Sequence, residues 1–368
     1  MKPGSIRAAA LRSAAIKGLH GNNAAGIAIR VERGGELLLE EGFGLAVDLP
    51  GRRVPMTPAS RFDLASVTKL FTTTSALRLA TLGRLDLDAS LAALEPARTL
   101  ALGRPRLADA FSRITVRSLM THSSGLHYWY PFYAAKSARQ GAAGSDFAPI
   151  LEEMLGRFPL APGTVYSDIN YILLGKLVEA AAGSPLDSAF HDLVGAPLGL
   201  AETCYSPASG PFVATEFGNR IEEGMVAELD LSFGGWRDPR HPSEGVPDDG
   251  NCHYYFGDVA GHAGLFSTVR DACALGNLYL DQGARGGFID PALALEAGRD
   301  HGGGRGLGFQ LGELYPEGGF GHTGFTGTYL YLNRERGLSA ALFANRLHVE
   351  QPKNINEWRK ELIGTILA

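Results

Sequence analysis

A serine and a lysine three residues apart are the first side chains that could do chemistry together. In Asp63-Leu-Ala-Ser66-Val-Thr-Lys69 the pattern predicts a helix that starts at Ser66, which places both side chains on one face. A serine hydroxyl is a poor nucleophile at neutral pH, and a desolvated amine beside it can take its proton. Unpaired N–H groups at the helix start would stabilise the negative charge that develops there. The pair therefore predicts covalent catalysis through an acyl-enzyme.

A helix N-cap is the alternative interpretation of Ser66. A capping box needs Glu or Gln where this chain has Lys69, and a cation in the first turn opposes the helix dipole by roughly 0.3–1 kcal/mol. The pattern therefore favours chemistry over capping. Since about one Ser-x-x-Lys is expected by chance in a chain of this length, other residues have to support the interpretation.

A tyrosine between a turn and a helix is the second candidate. Tyr166 lies in Pro162-Gly-Thr-Val-Tyr166-Ser-Asp168, which leads into an apolar helix predicted over 172–182 and stopped by Gly183. A phenol near a lysine ammonium could have its pKa lowered and relay protons between nucleophile and leaving group. The alternative is a half-buried tyrosine whose hydroxyl binds backbone.

A glycine-rich segment near the C-terminus is the third candidate. Gly321-His322-Thr323-Gly324-Phe325-Thr-Gly327 runs into a β-rich stretch. Glycine permits another backbone to approach closely. This strand edge could therefore line a cleft and offer the Phe325 N–H, beside that of Ser66, as an oxyanion donor. A glycine-rich strand entry with an incidental histidine is the alternative.

Composition and motif searches argue against several other classes. The 368 residues are 45% hydrophobic, as in globular proteins, and a net charge of -5 argues against a nucleic-acid partner. Three widely spaced cysteines predict free thiols, and neither a membrane span nor an export signal is recognisable, so a cytoplasmic location is expected. Walker A and Gly-x-Ser-x-Gly motifs are missing, and no cofactor is predicted. No metal is predicted either, although five histidines raise the question: His122, His127, His253, His262 and His322.

Hydrophobic patterning predicts one antiparallel sheet made from both ends of the chain. Runs at 26–32 and 36–41 form one predicted hairpin, and runs at 328–332 and 338–344 form another. Helical spacing over 354–367 predicts a terminal helix that packs on this sheet.

The predicted fold class is α/β (α+β), a single domain over 1–368. Residues 1–65 and 255–368 form the antiparallel sheet part with N- and C-terminal helices. Residues 66–254 form a mostly helical insertion, with a long irregular loop over 206–258 that is a predicted binding loop or lid.

Taken in order, the three motifs resemble a known superfamily. Ser66-Val-Thr-Lys69 is similar to the Ser-x-x-Lys of serine β-lactamases and penicillin-binding proteins, Tyr166-Ser-Asp168 to their Tyr-x-Asn, and His322-Thr-Gly324 to their Lys/His-Thr-Gly. The resemblance is to the branch of class C β-lactamases, DD-peptidases and family VIII esterases, and covers roughly residues 26–346. Further similar strings are Leu119-Met-Thr-His-Ser-Ser-Gly-Leu126, Pro162-Gly-Thr164, Gly261-His-Ala-Gly-Leu-Phe-Ser267 and Phe343-Ala-Asn-Arg346.

The resemblance implies a β-lactamase/transpeptidase-like fold with its site in a cleft between sheet and helices. It implies that Ser66 forms the acyl-enzyme, while Lys69 and Tyr166 share the general-base work. A histidine in the third motif would orient the substrate or assist the leaving group. The implied substrate-binding and oxyanion residues are Asp168, His322, Thr323, Gly324 and Phe325.

Two departures from the family pattern bear on the substrate. Asp168 replaces the usual Asn, so an acceptor-only carboxylate stands where an amide could donate. We expect Asp168 to pair with Lys69 and raise its pKa, which would move the activity optimum towards alkaline pH. The second departure, the missing export signal, argues against peptidoglycan cross-linking.

A small ester, amide or β-lactam is the predicted substrate, since the fold alone does not choose among them. Asp168 and the expected location favour an esterase or a small-amide hydrolase. The competing hypothesis is a non-catalytic module that binds β-lactams or peptides. Complete Ser66, Lys69 and Tyr166 argue against that module.

Overall fold

The computed structural model describes residues 8–138, 147–281 and 287–368. Its helices are α1 Ala8–His20, α2 Thr68–Thr81, α3 Ala97–Ala101, α4 Pro105–Arg113, α5 Val116–Met120, α6 Phe132–Ala138, α7 Phe147–Arg157, α8 Asp168–Ala182, α9 Leu186–Phe190, α10 Ala196–Leu198, α11 Arg220–Glu228, α12 Val269–Leu280, α13 Pro291–Ala297 and α14 Asn356–Leu367. Its strands are β1 Gly26–Arg33, β2 Glu36–Leu49, β3 Arg52–Pro55, β4 Phe62–Asp63, β5 Cys204–Tyr205, β6 Leu265–Ser267, β7 Phe320–Thr323, β8 Tyr329–Asn333 and β9 Leu338–Ala344.

The main sheet joins the two ends of the chain. Within the described residues it has six strands in the order β3-β2-β1-β9-β8-β7, and all five neighbouring pairs are antiparallel. Both predicted hairpins, β1–β2 and β8–β9, are confirmed. The second strand of the first hairpin extends to Leu49, eight residues beyond the predicted end.

Helices cover this sheet on two faces, as the patterning predicts for the C-terminal helix. On one face α1 and α14 pack together, and Leu11, Trp358 and Ile363 join the strand residues Ile27 and Ile29 in one apolar core. On the other face α12 contacts β1, β8 and β9 and belongs to a larger core shared with the helical region. The antiparallel sheet with terminal helices confirms the predicted fold class.

The region between the two halves of the sheet is mainly helical in the described residues. Its α2 and α8 pack against each other, and the predicted helix at 172–182 begins earlier, at Asp168, and ends at Gly183 with φ +72°. A second sheet of order β4-β6-β5 lies at the junction, and its strand β5 falls inside the range predicted as mostly helical. The segment 206–258 contains α11 and is otherwise largely irregular. The division of the chain into two subregions stays a prediction.

Candidate active site

Ser66 lies in a short 3₁₀ turn rather than at a helix start. The turn spans Ala65–Val67 and α2 begins at Thr68, two residues later than predicted. Ala65 has φ +45°, a left-handed conformation that costs a non-glycine residue about 1 kcal/mol. Its N–H donates to Asp63 Oδ1 at 2.9 Å, which holds the turn in place. The candidate nucleophile therefore lies on a strained, tethered turn that leads into α2.

Lys69 lies in the first turn of α2 and its side chain is fully buried. Its Nζ donates to Ser66 Oγ at 3.0 Å and to the carbonyl oxygen of His262 at 3.1 Å. The same Nζ lies 2.7 Å from Asp168 Oδ1 and forms an ion pair with it. The geometry of this pair does not meet the angles of a hydrogen bond, and Asp168 Oδ1 accepts none from the described residues. The amine thus meets the hydroxyl, and the predicted contact between Lys69 and Asp168 is present.

Tyr166 converges on the same two groups. The side chains of Ser66 and Lys69 lie near enough to its hydroxyl to affect its pKa. The Lys69 Nζ lies 5.0 Å from the centre of the ring, and the Arg305 guanidinium carbon lies 4.9 Å from it. Since α8 begins at Asp168, two residues after Tyr166, one helix start positions both side chains. Serine, lysine and tyrosine therefore meet at one point, as their proposed chemistry requires.

Two pKa shifts describe the resting protonation of this site. Burial alone would lower the pKa of Lys69, but the Asp168 carboxylate and the Tyr166 phenol outweigh it and raise that pKa above its ordinary 10.5. Burial raises the pKa of the Tyr166 hydroxyl, and the nearby ammonium opposes that rise without reversing it. The hypothesis that the lysine leaves this tyrosine with a lowered pKa is therefore wrong. Amine and phenol both hold their protons at neutral pH.

The segment after β7 approaches the turn that carries the serine. A Cβ at Gly324 would lie 2.6 Å from the carbonyl oxygen of Leu64 and 1.9 Å from Thr328 Oγ1, so the position requires glycine. Thr328 Oγ1 also donates to that Leu64 carbonyl at 2.9 Å. The close approach expected from the glycine-rich pattern is present.

Two backbone N–H groups are available at this junction. Among the described residues, the N–H groups of Ser66 and Phe325 have no protein acceptor. The Phe325 side chain is 39% exposed, and its ring faces the Arg346 guanidinium at 4.8 Å. Such unpaired N–H groups are what an oxyanion hole needs, and both residues line one cavity.

His322 is fully buried beside Tyr166, and their ring centres lie 5.9 Å apart. Its Nδ1 lies 2.7 Å from the carbonyl oxygen of Thr323, and its Nε2 has no partner in the described part of the chain. Burial, and then the cations Lys69 and Arg305, lower the pKa of His322 well below its ordinary value, so the ring is neutral. Within the described residues it is not part of the cavity wall, whereas Thr323 is. The ring therefore contacts the tyrosine directly and reaches a cavity ligand only through its neighbours.

A cavity of about 460 Å³ opens over the serine. Its lining residues come from the start of α2, the start of α8, the segment after β7, the irregular 206–258 segment and the C-terminal region. They are Ala65, Ser66, Trp129, Tyr166, Asp168, Glu222, Met225, Asp248, Asp249, Ala263, Gln310, Thr323, Gly324, Phe325, Arg346, Asn354, Ile355, Asn356 and Arg359. The volume suits a small-molecule substrate.

Several contacts around the cavity could not be predicted from a single sequence. Asp249 Oδ1 lies 2.9 Å from His262 Nε2, and the carbonyl of that histidine binds Lys69. Asp63 accepts from the N–H groups of Ala65 and Asp248 through its two carboxylate oxygens. These contacts join residues up to 193 positions apart, so no local spacing predicts them.

No group of three His, Cys, Asp or Glu side chains in the described ranges could hold a metal ion. Among the described helices, none combines the length and apolar character that crossing a membrane requires. The sequence-based expectation about an export signal concerns residues 1–25, of which 1–7 lie outside the described part. The cytoplasmic location stays a prediction.

Comparisons with known proteins agree with this fold. The family model described as Beta-lactamase matches residues 11–365. The N-acetylmuramyl-L-alanine amidase of Bacillus subtilis (strain 168) is 30% identical over 349 residues, covering 88% of this chain and 77% of that protein. The hydrolase EstCE1, which has promiscuous acyltransferase activity, is similar with a TM-score of 0.72, 19% identity and 98% of each chain covered. A class C beta-lactamase from Rhodobacter sphaeroides is similar with a TM-score of 0.68, 21% identity, and 98% of this chain and 99% of that one covered.

The chain belongs to the beta-lactamase family. This confirms the resemblance inferred from the three motifs, and the structural matches confirm the fold class. The relatives named here are an amidase, a hydrolase with promiscuous acyltransferase activity and a class C beta-lactamase.

Proposed function

We propose that this protein is a serine hydrolase that cleaves a small amide or ester through an acyl-enzyme at Ser66. The observation that carries the proposal is the contact of Lys69 Nζ with Ser66 Oγ at 3.0 Å, on a turn that opens into the cavity. A buried amine at hydrogen-bond distance is the group that a serine nucleophile needs. The non-catalytic module would have no use for it.

Acylation begins when Ser66 Oγ attacks the substrate carbonyl carbon and forms an O–C bond. The neutral amine form of Lys69 accepts the hydroxyl proton, and the N–H groups of Ser66 and Phe325 stabilise the oxyanion. The C–N or C–O bond of the substrate then breaks. The proton reaches the leaving nitrogen or oxygen through the Tyr166 hydroxyl, which lies beside the nucleophile and the base.

Deacylation reverses the roles with water as the nucleophile. The water oxygen bonds to the acyl carbon, one water proton passes to Lys69 or Tyr166, and the bond to Ser66 Oγ breaks as that oxygen regains a proton. Since the pKa of Lys69 is raised, the neutral amine is the scarce form at neutral pH. Both half-reactions should therefore become faster as the pH rises.

An amide of an amino acid or short peptide is the substrate class we favour. The relative with 30% identity is named for an amide bond to L-alanine, which supports an amide over a β-lactam. A cavity of about 460 Å³ fits a substrate of one or two residues. Simple aryl esters should be cleaved as well, since they have better leaving groups than amides.

The test combines covalent labelling with a substrate panel. Intact-mass measurement after treatment with a fluorophosphonate should show one adduct, and peptide mapping should place it on Ser66. The panel contains p-nitrophenyl butyrate, N-acetylated alanine amides, D-alanyl-D-alanine peptides and a β-lactam, with Ser66→Ala as the control. Turnover of the ester or an amide that disappears in Ser66→Ala supports the proposal. Absence of both adduct and turnover would instead support the non-catalytic module.

A further inference from the structure

A buried arginine of the C-terminal helix contacts the backbone beside the proposed oxyanion hole. Arg359, on α14, is 7% exposed, and its Nη2 donates to the carbonyl oxygens of Gly324 at 3.2 Å and Thr328 at 3.1 Å. Its Nη1 donates to Asn356 Oδ1 at 2.9 Å. No carboxylate in the described ranges lies within ion-pair distance of this guanidinium. The charge is therefore directed at backbone carbonyls instead of an acid.

The Gly324 carbonyl is one half of the peptide group whose other half is the Phe325 N–H. A cation that donates to the oxygen of a peptide withdraws electron density from it and makes its N–H a stronger donor, because hydrogen bonds in a chain polarise one another. The same hydrogen bond fixes the plane of the peptide. Both effects favour an oxyanion on the N–H side, where preorganised donors stabilise the transition state.

The surroundings of Arg359 keep it charged and close to the reaction. Burial lowers its pKa to about 10, with smaller effects from Tyr315, Arg346 and Tyr329, so the guanidinium stays protonated at neutral pH. Its side chain also lines the cavity above Ser66. An unpaired buried charge is costly, and hydrogen bonds to it compensate only in part. Retaining one here is consistent with a role beyond packing.

We propose that Arg359 is a positioning residue that orients and polarises the Gly324–Phe325 peptide as an oxyanion donor. The inference rests on the proposed function, since it assigns the Phe325 N–H to the oxyanion hole. It adds a residue of the C-terminal helix, 293 positions after the nucleophile in the chain. None of the three motifs contains this residue.

Arg334 provides a matched control for a purely structural role. It is also a partly buried arginine that donates to backbone carbonyls, those of Tyr279 at 3.0 Å and Ala294 at 2.6 Å. Its guanidinium carbon lies 4.4 Å from the Phe320 ring centre. Arg334 is not among the residues that line the cavity in the described chain. Its removal should lower stability without changing transition-state binding.

The experiment measures how well each variant binds a tetrahedral adduct relative to substrate. Arg359→Met, Arg359→Lys and Arg334→Met are compared with wild type in p-nitrophenyl butyrate hydrolysis, phenylboronic acid inhibition and thermal unfolding. In Arg359→Met we expect kcat to fall about tenfold to thirtyfold with little change in KM, less than the 10²–10³ lost when an oxyanion donor is removed. The boronate inhibition constant should rise by a similar factor, and Arg359→Lys should recover part of both.

The outcomes separate this inference from the proposed function. If wild type neither binds the boronate nor hydrolyses the ester, the proposed function fails. If wild type does both, and Arg359→Met changes kcat and boronate affinity no more than Arg334→Met does, the positioning role alone is overturned. If Arg359→Met does not fold, Arg359→Lys decides in the same way, because Lys keeps the charge but cannot reproduce the planar hydrogen-bond geometry.

Discussion

The two walls of the cavity contribute different kinds of groups. The helical wall, at the starts of α2 and α8, carries Tyr166 and Asp168, with Lys69 buried directly behind it, and these side chains can gain or lose protons. The sheet wall, at the end of β7, contributes the backbone N–H of Phe325 and the glycine at 324 that permits the close approach. One wall is therefore sensitive to pH, and the other to backbone geometry.

This difference separates two parts of the proposed chemistry. Side chains at helix starts can be charged in either state, so their effect depends on the pKa values that their neighbours impose. Peptide N–H groups do not titrate in the accessible range, and their effect depends on where the backbone holds them. Variants in the two walls should thus differ in pH dependence as well as in magnitude.

The largest effect is expected from the helical wall, for Lys69→Met. Removing the amine leaves Ser66 Oγ without a base, and kcat/KM for an ester should fall by about 10³ or more. Lys176→Met is the matched control, because Lys176 lies on α8 and pairs with Glu179 away from the cavity. A loss of less than tenfold in Lys69→Met would remove this lysine from the proposed mechanism. Steady-state kinetics on p-nitrophenyl butyrate provides the measurement.

The next effect belongs to the sheet wall, for Gly324→Ala. The added Cβ would lie within 2.6 Å of a backbone carbonyl, so the strand must shift and the Phe325 N–H moves with it. We expect kcat to fall by about 10²–10³ at every pH, as on loss of an oxyanion donor. Gly364→Ala on α14, where nothing lies within 4 Å of the new Cβ, should keep wild-type activity. A pH-dependent loss in Gly324→Ala would contradict the division between the walls.

The helical wall was the more predictable of the two from sequence. Ser66 and Lys69 are local, so their spacing alone predicts the contact that the structure contains at 3.0 Å. The pairing of Lys69 with Asp168 was also predicted, because the resemblance brought two motifs 99 residues apart into one site. The pKa of Tyr166 was predicted in the wrong direction, since the degree of burial is not visible in a motif.

For the sheet wall, the sequence predicts a close backbone approach but not the groups that it brings together. Glycine at 324 signals a close approach, but the partner, the Leu64 carbonyl, is known only from the folded chain. The anchors Asp63 and Arg359 act through backbone groups that any residue type provides, so neither leaves a pattern. The two hairpins were predicted because alternation and glycine turns are local, whereas the six-strand order in the described residues depends on long-range pairing.

A smaller effect is expected for Asp168→Asn, and it tests the pH dependence of the helical wall. Loss of the carboxylate removes a charge that raises the pKa of Lys69, so more of the neutral amine exists at a given pH. We expect the rising limb of kcat/KM against pH to move at least about one unit towards acid, as on loss of a close opposite charge. The measurement is a pH–rate profile from pH 5 to 10, with Gly324→Ala as the variant that keeps the wild-type limb. An unchanged limb in Asp168→Asn would refute the electrostatic role of the pair.

The smallest effect on catalysis is expected at Asp63, where the two walls are joined. Its side chain holds the turn before Ser66 through the Ala65 N–H, and its carbonyl oxygen accepts from Thr326 Oγ1 at 2.8 Å on the sheet side. Burial, and then the charge of Asp248, raise the pKa of Asp63 from 3.8 to about 7. The effect of Asp63→Asn should therefore be seen mainly in how the free energy of unfolding depends on pH.

The sign of that dependence follows from proton binding. Between about pH 4 and 7 the folded protein holds a proton on Asp63 that the unfolded chain has lost, so its contribution to the unfolding free energy falls as pH rises. At about 1.4 kcal/mol per pKa unit the loss approaches 4 kcal/mol by pH 8. The asparagine in Asp63→Asn does not titrate, and it keeps only one of the two hydrogen bonds that Asp63 accepts from backbone N–H groups. The variant should therefore have a lower free energy of unfolding than wild type at pH 5. At pH 8 its free energy of unfolding should be closer to that of wild type, or above it.

Urea unfolding at both pH values measures this change, with Asp88→Asn as the control. Arg117 lowers the pKa of Asp88, so that carboxylate stabilises the fold above its ordinary pKa and loses the effect as pH falls. Because that loss occurs only below the ordinary pKa of 3.8, the gap between Asp88→Asn and wild type should be the same at pH 5 and pH 8, whereas the gap for Asp63→Asn grows towards acid. If the gap for Asp63→Asn stays as constant as the gap for Asp88→Asn, Asp63 is not the proton-binding anchor between the walls.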